Sequence, residues 1–172
     1  MNVVRFSTEE PTKVSAEDLI EGLTMHGFKD VTNLDVNCGF VTFEHPYSEN
    51  PIFDPEKHVF GNYFAGLFRI DKRSVPASAL KKEVSEAVSR ELDVSGKQYV
   101  SRARKKEITE ETKARFLAKA APNISFIPFV VDMTTGNGFF FFFFKSKFEL
   151  FEVLFERAYG NMIYIDNICL FN

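Results

Sequence analysis

The stretch Phe126–Phe144, FIPFVVDMTTGNGFFFFFF, decides the fold class. Phe126 to Asp132 is apolar and rich in β-branched residues, as a strand requires. Thr134-Thr135-Gly136-Asn137-Gly138 carries hairpin-turn chemistry, and Phe139 to Phe144 reads as the return strand. An antiparallel pair is therefore expected. Six consecutive rings show no polar alternation, which predicts burial on both faces of the return strand. The competing reading of the same run is a sticky edge for a partner chain or a stacking platform for bases. A bare phenylalanine edge is an aggregation hazard, so the last helix or another subunit is expected to cover it.

Reading toward the C-terminus, Ser146 with Glu149 forms a capping-box pattern. The helix it opens has Phe148, Phe151, Phe155 and Ala158 on one stripe, Leu154 beside them, and Gly160 at its end. Met162 to Phe171 reads as a final strand. Toward the N-terminus, Thr109 followed by Glu110 and Glu111 predicts a helix start, running to about Ala121 before Pro122. Gly96 to Glu107 has little apolar periodicity and reads as an exposed connector or an extension of its neighbours. Pro76 opens an earlier helix, on which Leu80, Val84, Ala87, Val88 and Leu92 recur until Gly96.

Asn62 to Asp71 is apolar on both faces and so reads as a central strand. His45 to Glu56, with three prolines, reads as a loop, and Val41 to Glu44 as a half-buried strand. Ser15 and Asp18 open a helix of the pattern Leu19, Ile20, Leu23, ended by Gly27, and Asn2 to Phe6 is a short strand. The order predicts an α+β fold: a mixed, mainly antiparallel sheet packed by helices, in one domain spanning 1–172, with 97–121 as a projecting basic helical segment.

A chain of 172 residues, 45% hydrophobic and 26% charged, can bury a proper core and is not disordered or collagen-like. With 21 Phe and no Trp, most of its aromatic surface lacks a hydrogen-bonding handle and belongs in a dry interior. The longest apolar stretch, Ile124 to Met133, is broken by Ser125, Pro128 and Asp132, and the phenylalanine run is too short to cross a bilayer, so no membrane span is expected. Cys38 and Cys169 lie far apart and no leader pattern opens the sequence, which points to a reducing cytoplasm.

The net charge of -3 conceals a separation. Residues 1–60 sum to -7, residues 61–119 to +6, and residues 120–172 to -2. The excess is densest where Lys97, Arg102, Arg104, Lys105, Lys106, Lys113, Arg115 and Lys119 face only Glu107, Glu110 and Glu111. Such a cluster fits phosphate contacts and salt-sensitive, sequence-independent nucleic-acid binding. A solvated helical face has the same composition, and charge alone does not separate the two. Tyr99 lies among these cations, where a base-stacking role competes with that of an ordinary exposed tyrosine.

Catalysis finds little in the sequence. His26, His45 and His58 lack metal-ligand spacing, Cys38 has no basic activator nearby, and no phosphate-cradling glycine loop occurs. Asp132 with Glu149 or Glu152 is a weak divalent-metal pattern in positions where carboxylates are ordinary. No catalytic residue, metal or cofactor is expected.

Several segments in order carry a resemblance. They are RSVPASALKKEVSEAVSRE at 73–91, RARKKEITEETKARFLAKAAP at 102–122, the strand and GNG turn, and FELFEVLFERAYG at 148–160. Over roughly residues 57–160 the chain resembles the recombination-associated RdgC family. The resemblance implies a cytoplasmic, nucleoid-associated, homodimeric DNA-binding protein that encircles duplex DNA and restrains a recombinase. It places Arg102, Arg104, Lys105 and Lys106, then Lys113 and Arg115, as phosphate contacts. Some members carry an exonuclease label. Where the family has an Arg and an aromatic residue at a protruding tip, this chain has Ala121, Pro122, Asn123, Ile124 and Ser125, with Phe126 the nearest ring.

The expected function is sequence-independent binding of double- or single-stranded DNA in recombination or replication, without catalysis and without a membrane. A protein-interaction module that binds a recombinase or nuclease without touching DNA is the alternative, and a metal-dependent nuclease a third.

Overall fold

A computed structural model describes residues 2–8, 13–31, 34–142 and 144–170, with residues 2 and 167–170 described by backbone alone. They form an α+β protein of seven strands and five helices. The strands are β1 (Asn2–Thr8), β2 (Val36–Val41), β3 (Val59–Phe60), β4 (Tyr63–Lys72), β5 (Asn123–Asp132), β6 (Gly138–Phe140) and β7 (Ile163–Leu170). The helices are α1 (Ala16–Met25), α2 (Pro55–His58), α3 (Ala77–Ser95), α4 (Arg102–Lys119) and α5 (Lys145–Tyr159). The chain divides into two compact units, one comprising 1–30, 37–71 and 124–172, the other 31–36 and 72–123.

The first unit is built on the sheet, in the order β2-β4-β5-β6-β1-β7, with β3 pairing β4 as a short hairpin. β4 has a strand on either side, as its two apolar faces require. The β5–β6 hairpin forms as its turn chemistry predicts, with Val131 opposite Gly138 and Gly136 at φ 74°. Asp132 holds the turn: its carboxylate accepts from the Thr134 amide and hydroxyl and from the Thr135 hydroxyl, at 2.9, 2.6 and 3.0 Å.

The phenylalanine run departs from its expected form. Strand pairing ends at Phe140, and among the described residues of the run only Phe140 is fully buried; Phe139 and Phe144 are 43% and 63% exposed, and Phe141 and Phe142 half-buried. Phe143, like Phe171 at the end of the expected last strand, lies outside the described residues. The reason is alternation: Phe139 and Phe140 point to opposite faces, and α5 covers one of them. On that covered face, Phe6, Phe40, Phe68, Phe129 and Phe140 each approach Phe151 of α5, with ring centroids 4.6–6.2 Å apart.

α5 carries the expected stripe, with Phe148, Phe151, Phe155, Ala158 and Tyr159 buried and Gly160 closing it in the left-handed conformation. Its start differs. Phe144 occupies the N-cap without a side-chain bond, so Ser146 and Glu149 lie inside the helix and form no capping box. α1 does begin as expected, with Ser15 accepting from the Asp18 amide. It meets α5 where Gly22 abuts Ala158; a Cβ there would come within 2.0 Å of the Ala158 carbonyl oxygen. β2 lies at 36–41 rather than 41–44, because Phe40 and Val41 enter the core while Phe43 is exposed. Phe126, the nearest ring after Pro122, lies within β5, packed on Phe28, Val41 and Leu67.

One buried charge pair was not foreseen. Arg69 and Asp71, two apart on β4 and hence on one face, form a bidentate pair at 2.7 and 2.6 Å. The Arg69 guanidinium also lies 3.8 Å from the Phe28 ring centre.

Phe151→Ala is expected to lower the unfolding free energy by about 3–5 kcal/mol, whereas Phe144→Ala changes it by less than about 0.5 kcal/mol. Chemical denaturation of both variants measures the difference.

Candidate nucleic-acid interface

The second unit is an antiparallel helical hairpin with a thin apolar seam. Of the α3 stripe only Val84 is buried, Leu80, Ala87, Val88 and Leu92 being half-buried; α4 contributes Ile108, Thr112 and Leu117. Charge is partitioned between the units: residues 31–36 and 72–123 sum to +5, and the remainder to -8.

α3 ends at Gly96, in the left-handed conformation at φ 65°, as its sequence predicts. α4 begins earlier than expected. Ser101 is its cap, accepting from the Arg104 amide at 3.2 Å, and Thr109 is an interior residue whose hydroxyl donates to the Lys105 carbonyl. The stretch 96–107 is therefore only partly a connector; from Arg102 onward it is helix. The pattern Ser-x-x-Arg supplies a cap oxygen but no apolar periodicity, so the earlier start is marked in the sequence by the cap alone.

Eight cations were singled out, and the fold treats them unequally. Arg104 is held by carboxylates: its Nε and one terminal nitrogen donate to the two oxygens of Glu91 at 3.0 and 3.2 Å, and the other donates to Glu107 at 3.0 Å, with Glu111 3.5 Å away. Lys113 donates to Asp35 at 2.6 Å and Arg115 to Glu83 at 2.6 Å. These contacts raise the pKa of Arg104 and of Lys113 above their ordinary values. Lys97, Arg102, Lys105, Lys106 and Lys119 are exposed and make no hydrogen bond or ion pair to a carboxylate among the described residues, Lys97 acting on Glu91 through its charge alone.

Three of those five sit in the first turn and a half of α4, a stretch with no acid in its first turn. The exposed backbone N–H groups there give a helix start partial positive charge, which favours Asp and Glu and disfavours Lys and Arg. Arg102, Lys105 and Lys106 thus crowd like charge onto like, an arrangement that costs stability and that an approaching polyanion would relieve.

The groups considered for catalysis are engaged elsewhere or apart. His58 is fully buried, its Nδ1 donating to the Ala65 carbonyl at 2.8 Å, with its ring stacked on Phe43 and Phe64. Burial raises the Cys38 thiol pKa. The Asp132 carboxylate, bonded first by Thr134, titrates below its ordinary range. Among the described residues no group of three or more His, Cys, Asp or Glu side chains is placed to hold a metal ion. No helix among them is long and apolar enough to cross a membrane.

Fold and charge distribution together define an α+β protein presenting a basic helical hairpin. The family model described as "Putative exonuclease, RdgC" matches residues 1–138, which takes in the acidic first third, both helices of the hairpin and the β5–β6 turn. The chain belongs to the RdgC family, and membership implies a recombination-related, DNA-associated role. No curated protein matches the chain.

The hydrogen bonds from Arg104 hold the Glu91 carboxyl below its ordinary range. A depressed folded-state pKa means that the pairing contributes fully above the ordinary glutamate pKa and is lost as pH falls through the depressed value. Carboxyl carbon-13 titration is expected to find Glu91 low in the native protein and back near its usual value in Arg104→Gln.

Proposed function

We propose that this RdgC-family protein is a sequence-independent DNA-binding protein without catalytic activity. It acts by occupying DNA in the nucleoid as a homodimer and so restrains a recombinase. Lys97, Arg102, Lys105, Lys106 and Lys119 contact phosphates, releasing the counterions condensed on them. Arg104, Lys113 and Arg115 act at one remove, tying the hairpin together through Glu91, Asp35 and Glu83. The single observation that carries this reading is the crowding of unpaired cations onto the positive end of α4. Stability gives no reason for that placement, whereas attraction of a polyanion does. Family membership supports the same role.

Five phosphate contacts correspond to a slope of about -4 to -5 in log affinity against log salt on duplex DNA if one subunit of the dimer engages, and about -9 if both do. The triple variant Arg102→Glu, Lys105→Glu, Lys106→Glu is expected to abolish retention of DNA at moderate salt. Its thermal midpoint should hold or rise, since glutamate suits a helix start better than the native cations do. Fluorescence anisotropy at several salt concentrations, beside a melting curve, tests both parts; salt-independent affinity, or full binding by the triple variant, would remove the assignment.

The family description names an exonuclease. End-labelled DNA incubated with magnesium or manganese is expected to stay at full length. Shortening that scales with protein concentration, and persists through purification, would reverse the non-enzymatic assignment.

A further inference from the structure

The turn between α3 and α4 encloses a cleft of about 540 Å³, within the usual size range of small-molecule sites. Glu91 and Arg104 of the helices line it, together with Lys97, Gln98, Tyr99 and Ser101 of the turn. Tyr99 is 78% exposed and has no ring partner among the described residues. An aromatic side chain gains most when its faces are covered, so a ring left in water at the mouth of a cleft lacks a stabilising contact that a flat ligand can supply.

The backbone on both sides of Tyr99 is anchored. Gly96 takes the left-handed conformation that turns the chain, the Ser95 hydroxyl accepts from the Lys97 amide at 3.4 Å, and Ser101 caps the next helix. The two-pronged Glu91–Arg104 pair braces the helices behind the turn. It also neutralises Glu91, the acid in this cleft that would otherwise repel an anion. Lys97, which also lies within electrostatic reach of Glu91, has no hydrogen-bonded carboxylate among the described residues and stands two positions before Tyr99 in the turn.

We infer that this cleft takes an unpaired base of a nucleic-acid strand, with Tyr99 stacking on the base, Lys97 meeting the adjoining phosphate and the Gln98 amide reaching the base edge. A flat ring beside an exposed cation is the combination that single-strand binding uses, and it tolerates any base because every base has a face to stack. Bases in a duplex are stacked on one another and cannot present that face. The hairpin therefore distinguishes unpaired from paired DNA at the turn, while its helix-borne cations do not. The inference rests on the DNA-binding reading above and adds the strand state that Tyr99 selects.

A single-stranded oligonucleotide carrying 2-aminopurine, and the duplex made from it, separate the two claims. The native protein is expected to bind both and to quench the fluorophore in the single strand. Tyr99→Ala should lose the quenching and about tenfold in single-strand affinity, with duplex affinity and melting temperature unchanged; Tyr99→Phe should behave as native. If Tyr99→Ala binds and quenches the single strand like the native protein, or weakens both DNA forms equally, the cleft assignment falls and the electrostatic reading stands. A native protein that binds neither form overturns both.

Discussion

Five strands converge on one ring. Phe151 lies against Phe6, Phe40, Phe68, Phe129 and Phe140, which come from β1, β2, β4, β5 and β6 in turn. Every centroid distance falls in the range where tilted and edge-on aromatic pairs attract beyond the burial of their area. Rings without polar atoms can meet in this number because none of them needs a partner for a hydroxyl or indole N–H. The absence of Trp from the sequence is the compositional trace of that interior. Gly22 extends the same logic to the helices, since any side chain there would drive α1 off the Ala158 backbone.

The second unit is held differently. Its apolar seam is narrow, and ion pairs from α3 and from the short 31–36 segment to α4 supplement it. Exposed pairs of this kind ordinarily contribute little. Arg104 is the exception in geometry, because a planar guanidinium satisfied by Glu91 and Glu107 together fixes orientation as well as distance. The same pairing sorts the eight cations into those engaged within the unit and those left to the solvent.

That sorting could not be read from the sequence. Arg104 and Glu91 are thirteen residues apart, Arg115 and Glu83 thirty-two, Lys113 and Asp35 seventy-eight, and composition gives no sign of which acid each base will find. What was legible had a local cause. The α5 stripe follows from helical spacing, the β5–β6 turn from the Asp132-x-Thr-Thr-Gly136 stretch, and the ends of α3 and α5 from glycines able to take positive φ. Uniform runs were the difficulty. The phenylalanine run lacks alternation, so nothing in it marks where pairing stops at Phe140. The 102–107 segment has no large apolar residue, so periodicity is silent where α4 begins. Arg69 and Asp71 were within reach, since residues two apart on a strand share a face and opposite charges there can pair.

The unfavourable charge at the head of α4 has a further consequence. Whatever anion settles there lowers the cost of winding that turn, and the turn in its wound form holds the anion better. The two events are reciprocal by thermodynamic necessity. The opening turn of the helix is thus a gauge of occupancy: its amide protons exchange with solvent more slowly in proportion to how tightly a strand is held, and ionic strength, by screening the repulsion, steadies the empty helix while loosening the filled one.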